Sequence, residues 1–525
     1  MKVYISCLKN YKYLFLLILY SCSIEQKDKD FFNPLYSNSS KINSSYKSGT
    51  YSKDSLRLSY SFYNAKSMLL VYNKDSLIAE GDSIDITIRN LEKRLSKIPT
   101  ACKNYKEYAN NWNAPINELS SFHQVKIYAF NENDIVDSLE ANYVLGVINK
   151  DNFPIVNLNI DEKLFFSSDS GCYVPGDSFD ENNDQNTGNY YLFKQRKQIA
   201  SIQIIDNNKQ YLNGEFLCRI HGYITPLAPQ KSLRFYLKKD TKINKLLKLN
   251  HEVDKIILRS SYSGWGSEIF LDGWIADVCR NLNIDVMTYK GVKVYLNGEY
   301  WGIHGLRERL DLKAIANKYK LKKKKIIDAD DKGFSKTEKY GDLNTLLLKI
   351  KANPNYSYES VIQHFNQASL VDWLAIELFF QNTDWPCNNT FYWKKTNQNK
   401  KWNCVLIDMD ACVGKPKTNM FHFAVKDRSP SLGGVLITYL LKQKEFQVVF
   451  KERVEYLLQN DFSTERLMQK FIYYENLFNP AIKEHYDRWN SIDGLDKYKK
   501  ALKRIKGFCE NRQYYFKQNM NEFFE

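Results

Sequence analysis

Asn382-Thr-Asp384-Trp-Pro-Cys-Asn388-Asn389, followed by Trp402-Asn-Cys-Val-Leu-Ile407-Asp408-Met-Asp410, is the stretch on which the reading of this chain turns. The segment before it, Ser369 to Gln381, is apolar almost all round, with Leu370, Trp373, Leu374, Ile376, Leu378, Phe379 and Phe380. A helix of that kind is buried. Ser369 with Asp372 resembles a capping box at its start. Cys404 to Ile407 reads as an apolar strand. Asp384 and Asn389 therefore sit in a polar loop leaving a buried helix, and Asp408 and Asp410 sit at the mouth of a strand. Hard oxygen donors placed at the ends of two elements suit magnesium and the phosphates it carries.

Working outward, Pro154–Ile160, Gly171–Gly176, Ile199–Ile205, Gly214–Ile220 and Lys231–Leu237 read as strands, most of them by alternation of apolar and polar residues. Ser267 to Leu282 predicts a helix with Phe270, Trp274 and Val278 on one face. Asn297-Gly298, between Val292–Leu296 and Tyr300–Leu306, predicts a tight hairpin. Beyond residue 427 the chain reads as amphipathic helices, among them Leu436–Lys442 and Glu445–Gln459. This serial order predicts an α+β fold: a protein-kinase-like bilobal domain with a β-rich N-lobe and a helical C-lobe. On that template Lys231 contacts the α and β phosphates of ATP, and Glu268 or Asp272 pairs with it. Asp384 accepts the proton of the attacking hydroxyl, Asn389 and Asp408 hold metal ions, Asp410 is a second ligand, and Glu308 contacts the nucleotide. The sequence contains neither GxGxxG nor GxxxxGK, which excludes an ordinary Gly-rich-loop kinase or P-loop enzyme.

Four segments together resemble the CotH family of atypical protein kinases. Val294-Tyr-Leu-Asn-Gly-Glu-Tyr-Trp-Gly-Ile-His-Gly-Leu-Arg-Glu308-Arg-Leu-Asp311 is similar to its strand–turn–strand signature. Asn382-x-Asp384-x4-Asn389 with Phe391-Tyr392 is similar to its catalytic loop, and Trp402-x4-Ile407-Asp408-x-Asp410-x3-Gly414 to its metal segment. Arg219-x2-Gly222 with Lys231-Ser232 is similar to its N-lobe segment, and Arg488-Trp489 falls in its usual tail region. The resemblance runs from about Phe153 to the C-terminus. It implies Mg²⁺- or Mn²⁺-dependent transfer of the ATP γ-phosphoryl group to Ser or Thr of proteins, with Arg219 and Lys231 at the nucleotide. Two departures stand out. No Asn-Ser-Ser follows Gly222, and Gln230 stands where the first of two lysines is common. Two other functions fit fewer of these features: a surface adhesin on a kinase-like scaffold, and a glycosyltransferase using Asp408-Met-Asp410 for a sugar-nucleotide metal. The strand order before that motif disfavours the second.

The rest of the chain sets the context. At 525 residues it exceeds one average domain. Lys and Arg outnumber Asp and Glu by 75 to 60, yet the charge is scattered. The one dense run, Lys322–Lys325, reads as a solvated turn, so no nucleic-acid partner is expected. Lys2, Lys9 and Lys12 precede a short apolar run, Tyr13 to Tyr20, too short to span a bilayer. Leu19-Tyr20-Ser21-Cys22 resembles a bacterial lipobox. Residues 1–21 are thus expected to be a lipoprotein signal peptide, with Cys22 lipidated and 22–53 a flexible tether. That places the protein in the cell envelope, anchored to a bacterial membrane, periplasmic or surface-exposed. Residues 54–149 read as a small β-sandwich resembling Ig-like, chitobiase-type modules, and 150–525 as the kinase-like domain. No cysteine or histidine spacing marks a zinc site. Cys387 and Cys412 flank the acidic residues, which leaves a bridge between them open.

Overall fold

Asn297 and Gly298 turn the chain as that dipeptide should, with φ of 48° and 88°. The computed structural model describes residues 35–525 apart from 74, 93, 102–113, 148–150, 184–186, 224, 240, 262–263, 331–340, 387, 397–399, 428–431 and 490–493. The hairpin strands, Lys290–Leu296 and Glu299–Glu308, pair antiparallel. The first also pairs in parallel with Ile155–Ile160, and the second with Lys255–Arg259. Gln198–Asp206, Lys209–His221 and Ser232–Tyr236 complete the circuit, so seven strands close into a barrel. Val156, Ile202, Cys218, Leu233, Ile256 and Val294 fill its interior. Closure removes the edges an open meander would leave exposed.

Gly171–Gly176 is not a strand. Gly171 N–H is spent on Ser167 O and Tyr173 N–H on Phe165 O, so this backbone folds on itself. Tyr173 is wholly buried and its hydroxyl takes a hydrogen bond from Trp301 Nε1 at 3.0 Å, closing one end of the barrel.

Ahead of the barrel two sheets face each other. One is Asn43–Ser44, Ser55–Ser61 and Ser83–Arg89; the other includes Ser67–Tyr72, Ser121–Asn131 and Asp134–Leu145. They share a core of Tyr60, Met68, Leu70, Ile88 and Ile127. Residues 35–53, expected within a flexible tether, are built into this unit. Gly49–Thr50 pairs with Tyr143–Val144, and Tyr51 is buried, because its ring completes the same core. Glu299 joins sandwich to barrel, accepting from the backbone N–H groups of Leu95 at 2.8 Å and Ser96 at 2.9 Å. The signal peptide and Cys22 lie outside the described residues. Among the described residues no helix is long and apolar enough to cross a membrane.

The remaining chain is largely helical, which makes the whole a mixed α+β fold. Leu271–Cys279 is shorter than the predicted helix but keeps Trp274 on its buried face, with its ring 5.7 Å from that of Phe380. Gln367–Phe380 is the buried helix the sequence announces. Its cap is Asn366, whose side chain accepts from Ser369 N–H, rather than a box of Ser369 and Asp372. Asp372 is spent elsewhere, on Arg453 at 2.6 Å and Asn283 N–H at 2.7 Å. Gly494–Phe524 is the long last helix. Cys412 is a free buried thiol, and Cys387 lies outside the described residues.

Candidate active site

The helix Gln367–Phe380 ends because Gln381 takes the left-handed conformation, φ 63°. Asn382 then turns wholly inward and organises the loop. Its Nδ2 donates to Glu377 Oε2 at 2.9 Å, and its Oδ1 accepts from Asp384 N–H at 3.1 Å. Burial pushes the Glu377 carboxyl up to about 8, so it is neutral near pH 7 and needs no counter-charge. Asn389, itself left-handed at φ 56°, donates from Nδ2 to Asp384 Oδ2 at 3.5 Å.

The second loop leaves the strand Asn403–Leu406, which is held between Phe391–Lys395 and Asp285–Val286. Asp408 has φ 58°, a turn that redirects its carboxylate off the strand line. Three hydrogen bonds stitch the two loops together. Thr383 N–H reaches Ala411 O at 3.2 Å, Val413 N–H reaches Phe380 O at 2.8 Å, and Gly414 N–H reaches Gln381 Oε1 at 2.8 Å. Asp384 and Asn389 thereby share one wall with Asp408 and Asp410.

Opposite this wall stands Arg259, the last residue of a barrel strand. Its Nη2 donates both to Asp408 Oδ1 and to Asp410 Oδ2, the latter at 2.7 Å. Arg259 Nε lies 3.5 Å from Asp272, which also takes Arg307 Nη1 at 2.8 Å. Burial works against the Arg259 charge, but Asp408, Asp410 and Asp272 hold its pKa well above the usual value. Asp410 is caught the other way: burial, with Asp408 adjacent, outweighs Arg259 and pushes its carboxyl up to about 7. Such a convergence of carboxylates on one largely buried cation marks a candidate functional site.

Residues 218–516 match the family described as CotH kinase protein. The chain belongs to the CotH family. No curated protein matches it. A solved structure of a Helicobacter pylori proinflammatory kinase, CtkA, resembles it at a TM-score of 0.22 and 8% identity, over 56% of this chain and 94% of that one.

Within this CotH-family fold the other expected residues lie elsewhere. Lys231 is fully buried, donating to Thr100 O at 2.6 Å and Ala228 O at 2.9 Å beneath the Tyr190 ring. The reason is parity. Lys231 shares the inward period of Leu233 and Phe235, whereas Ser232, Arg234 and Tyr236 point outward. Glu268 pairs with Arg504 at 2.6 Å, and Asp272 with Arg307 and Arg259, so the expected lysine–carboxylate pair is replaced by arginine–carboxylate pairs. Glu308 faces inward with Ile256 and pairs with His251 at 2.9 Å, away from the cleft. Arg219 does face outward, donating to Tyr236 Oη at 3.0 Å. Arg259 and Arg307 escaped the sequence reading. The cation ending the apolar run Ile256-Ile-Leu258 is the mark that would have found Arg259.

CotH-family membership implies ATP and a divalent metal in general terms. Among the described residues no three His, Cys, Asp or Glu side chains form a metal cluster. Magnesium, however, is commonly held by one or two carboxylates, with phosphates and water completing its shell. Asp408 and Asp410 already direct one oxygen each at a single cationic nitrogen, so the donor set fits.

Proposed function

We propose that this chain is a phosphotransferase that moves the γ-phosphoryl group of ATP to Ser or Thr hydroxyls of secreted or surface proteins. The observation that carries the reading is the meeting of Asp408 and Asp410 with the barrel's Arg259, on a wall shared with Asp384. The barrel and helices would serve as the two lobes of a kinase-like domain, with the nucleotide between them.

Asp384 projects from the loop to accept the proton of the acceptor hydroxyl, and Asn389 steadies its carboxylate. Asp408 and Asp410 would hold Mg²⁺ or Mn²⁺, with Asn389 within the same loop system. When bound, the metal offsets negative charge on the phosphates. Arg259, paired with Asp272 as well as with these two carboxylates, would stay beside the transferring group as a cation when a metal is bound.

Mature protein incubated with γ-labelled ATP is expected to incorporate label into itself or a co-expressed secreted protein when Mg²⁺ or Mn²⁺ is present. Chelation or Asp408→Ala should remove the label. Equal incorporation by wild type and Asp408→Ala, or none with either metal, would sink the reading. We further propose the lipid anchor at Cys22, on the lipobox-like sequence. Palmitate labelling should vanish in Cys22→Ala, and labelling that persists removes the anchor.

A further inference from the structure

The outer face of the barrel carries three guanidinium groups that its carboxylates leave uncompensated. Directly paired residues share a face of a sheet. Arg219 pairs with Arg234, Arg234 with Ile257, and Ile257 with Arg307. Two residues along, Arg259 follows Ile257 and Arg309 follows Arg307, so all five arginines lie on the outward parity. Arg259 and Arg307 have Asp408, Asp410 and Asp272. Among the described residues Arg219, Arg234 and Arg309 have no ion pair. Asp311 lies near Arg309 but is engaged by Lys255 at 3.2 Å.

Neutral groups hold Arg219 and Arg234 in place. Arg234 Nη2 donates to His221 Nδ1 at 2.6 Å, which requires that nitrogen unprotonated. Arg234 Nε is buried with no hydrogen-bond partner. The positive charge has consequences: burial, then Arg309 and Arg219, brings the Arg234 guanidinium down to about 10. Burial and the surrounding arginines likewise keep His221 well below the usual imidazole range. A partly buried guanidinium with an unused N–H among like-charged neighbours is favourable ground for an anion.

We propose that Arg219, Arg234 and Arg309 grip a polyphosphate chain, from a nucleoside triphosphate or an inorganic polyphosphate, laid along the barrel toward Asp408 and Asp410. This rests on the phosphotransferase reading above, and gives the trio the work expected of Lys231. Guanidinium forks match phosphate oxygens two at a time. Arg259 shares their face and already touches Asp408 and Asp410, so a chain crossing the trio ends where a metal would sit.

Titration calorimetry of the full mature chain with ATP, inorganic tripolyphosphate and adenosine, each with Mg²⁺, tests it. Unfolding curves check that Arg234→Gln and the double variant Arg219→Gln/Arg309→Gln are folded. ATP or tripolyphosphate should bind, and each variant should weaken that binding about tenfold or more. Binding of both to wild type identifies the phosphates as the shared element; tripolyphosphate alone identifies the inorganic source. Adenosine binding as tightly as ATP overturns the proposal. ATP affinity unchanged in folded variants also overturns it, while leaving the phosphotransferase reading intact. Arginine-dependent binding in a wild type that transfers no phosphate upholds the site and removes that reading. No binding of either phosphate to wild type overturns the site.

Discussion

Asp384→Asn is expected to fold normally, bind nucleotide and metal as wild type does, and lose phosphoryl transfer by about 10²- to 10⁴-fold in kcat. The side chain is exposed, so the change empties no core and buries no unpaired group. The loop around it is organised by backbone and by Asn382, not by the Asp384 carboxylate: Asp384 N–H is held by Asn382 Oδ1 and Asn382 by Glu377. Asparagine keeps one oxygen to accept from Asn389 Nδ2. What it loses is the capacity to take a proton from the acceptor hydroxyl. The effect should therefore fall on kcat with KM for ATP little changed. Asp408→Ala, by contrast, should weaken metal-dependent binding itself. A Asp384→Asn protein retaining more than about a tenth of wild-type kcat would remove Asp384 as the proton acceptor, since general-base contributions start near a hundredfold.

How much of this was legible beforehand depends on whether the controlling contacts are local. The loop from Asn382 to Asn389 follows from a nearly all-apolar helix that must end at polar residues, and that is visible in thirteen consecutive letters from Ser369 to Gln381. The Asn297-Gly298 turn is equally local. Barrel closure is not. It depends on Ile155–Ile160 meeting Lys290–Leu296, strands far apart in the chain whose pairing leaves no mark on either. Lys231 was misplaced for a related reason. The run Lys231-Ser-Leu-Arg234-Phe-Tyr236 carries cations on both parities, and only the packing of Leu233 and Phe235 in the barrel decides which one faces the cleft. Arg259 was invisible because its importance comes from carboxylates 149 and 151 residues away.

Arg512→Leu is expected to destabilise the protein by about 3–5 kcal/mol and to loosen both loops of the site at once. Arg512 is fully buried in the last helix and spends its fork on four carbonyls. Nε reaches Phe379 O and Nη2 reaches Leu378 O, both at 2.8 Å; Nη1 reaches Pro416 O at 2.7 Å and Thr418 O at 2.9 Å. Leu378 and Phe379 end the buried helix, where carbonyls lack partners in their own helix and the dipole favours a cation. Pro416 and Thr418 follow the Asp408–Asp410 segment. One side chain thus fixes the start of the Asp384 loop to the exit of the aspartate loop. Burial lowers its pKa to about 9, still above neutrality, so the group is charged where it acts. The Phe508 and Phe516 rings lie 6.0 and 5.1 Å from the guanidinium, so its surroundings are largely apolar. Leucine fills much of the volume but removes the donor from the Leu378, Phe379 and Pro416 carbonyls, and leaves Thr418 O to Asn519 Nδ2 alone at 3.2 Å. Lysine restores the charge yet offers a single point where a planar fork is required, so Arg512→Lys should recover only part of the loss. Urea unfolding gives the stability change, and hydrogen exchange at Leu378–Asp384 and Lys415–Thr418 reads the loops. A Arg512→Leu protein within about 1 kcal/mol of wild type, with those amides as protected as before, would show that the site is held without this clamp.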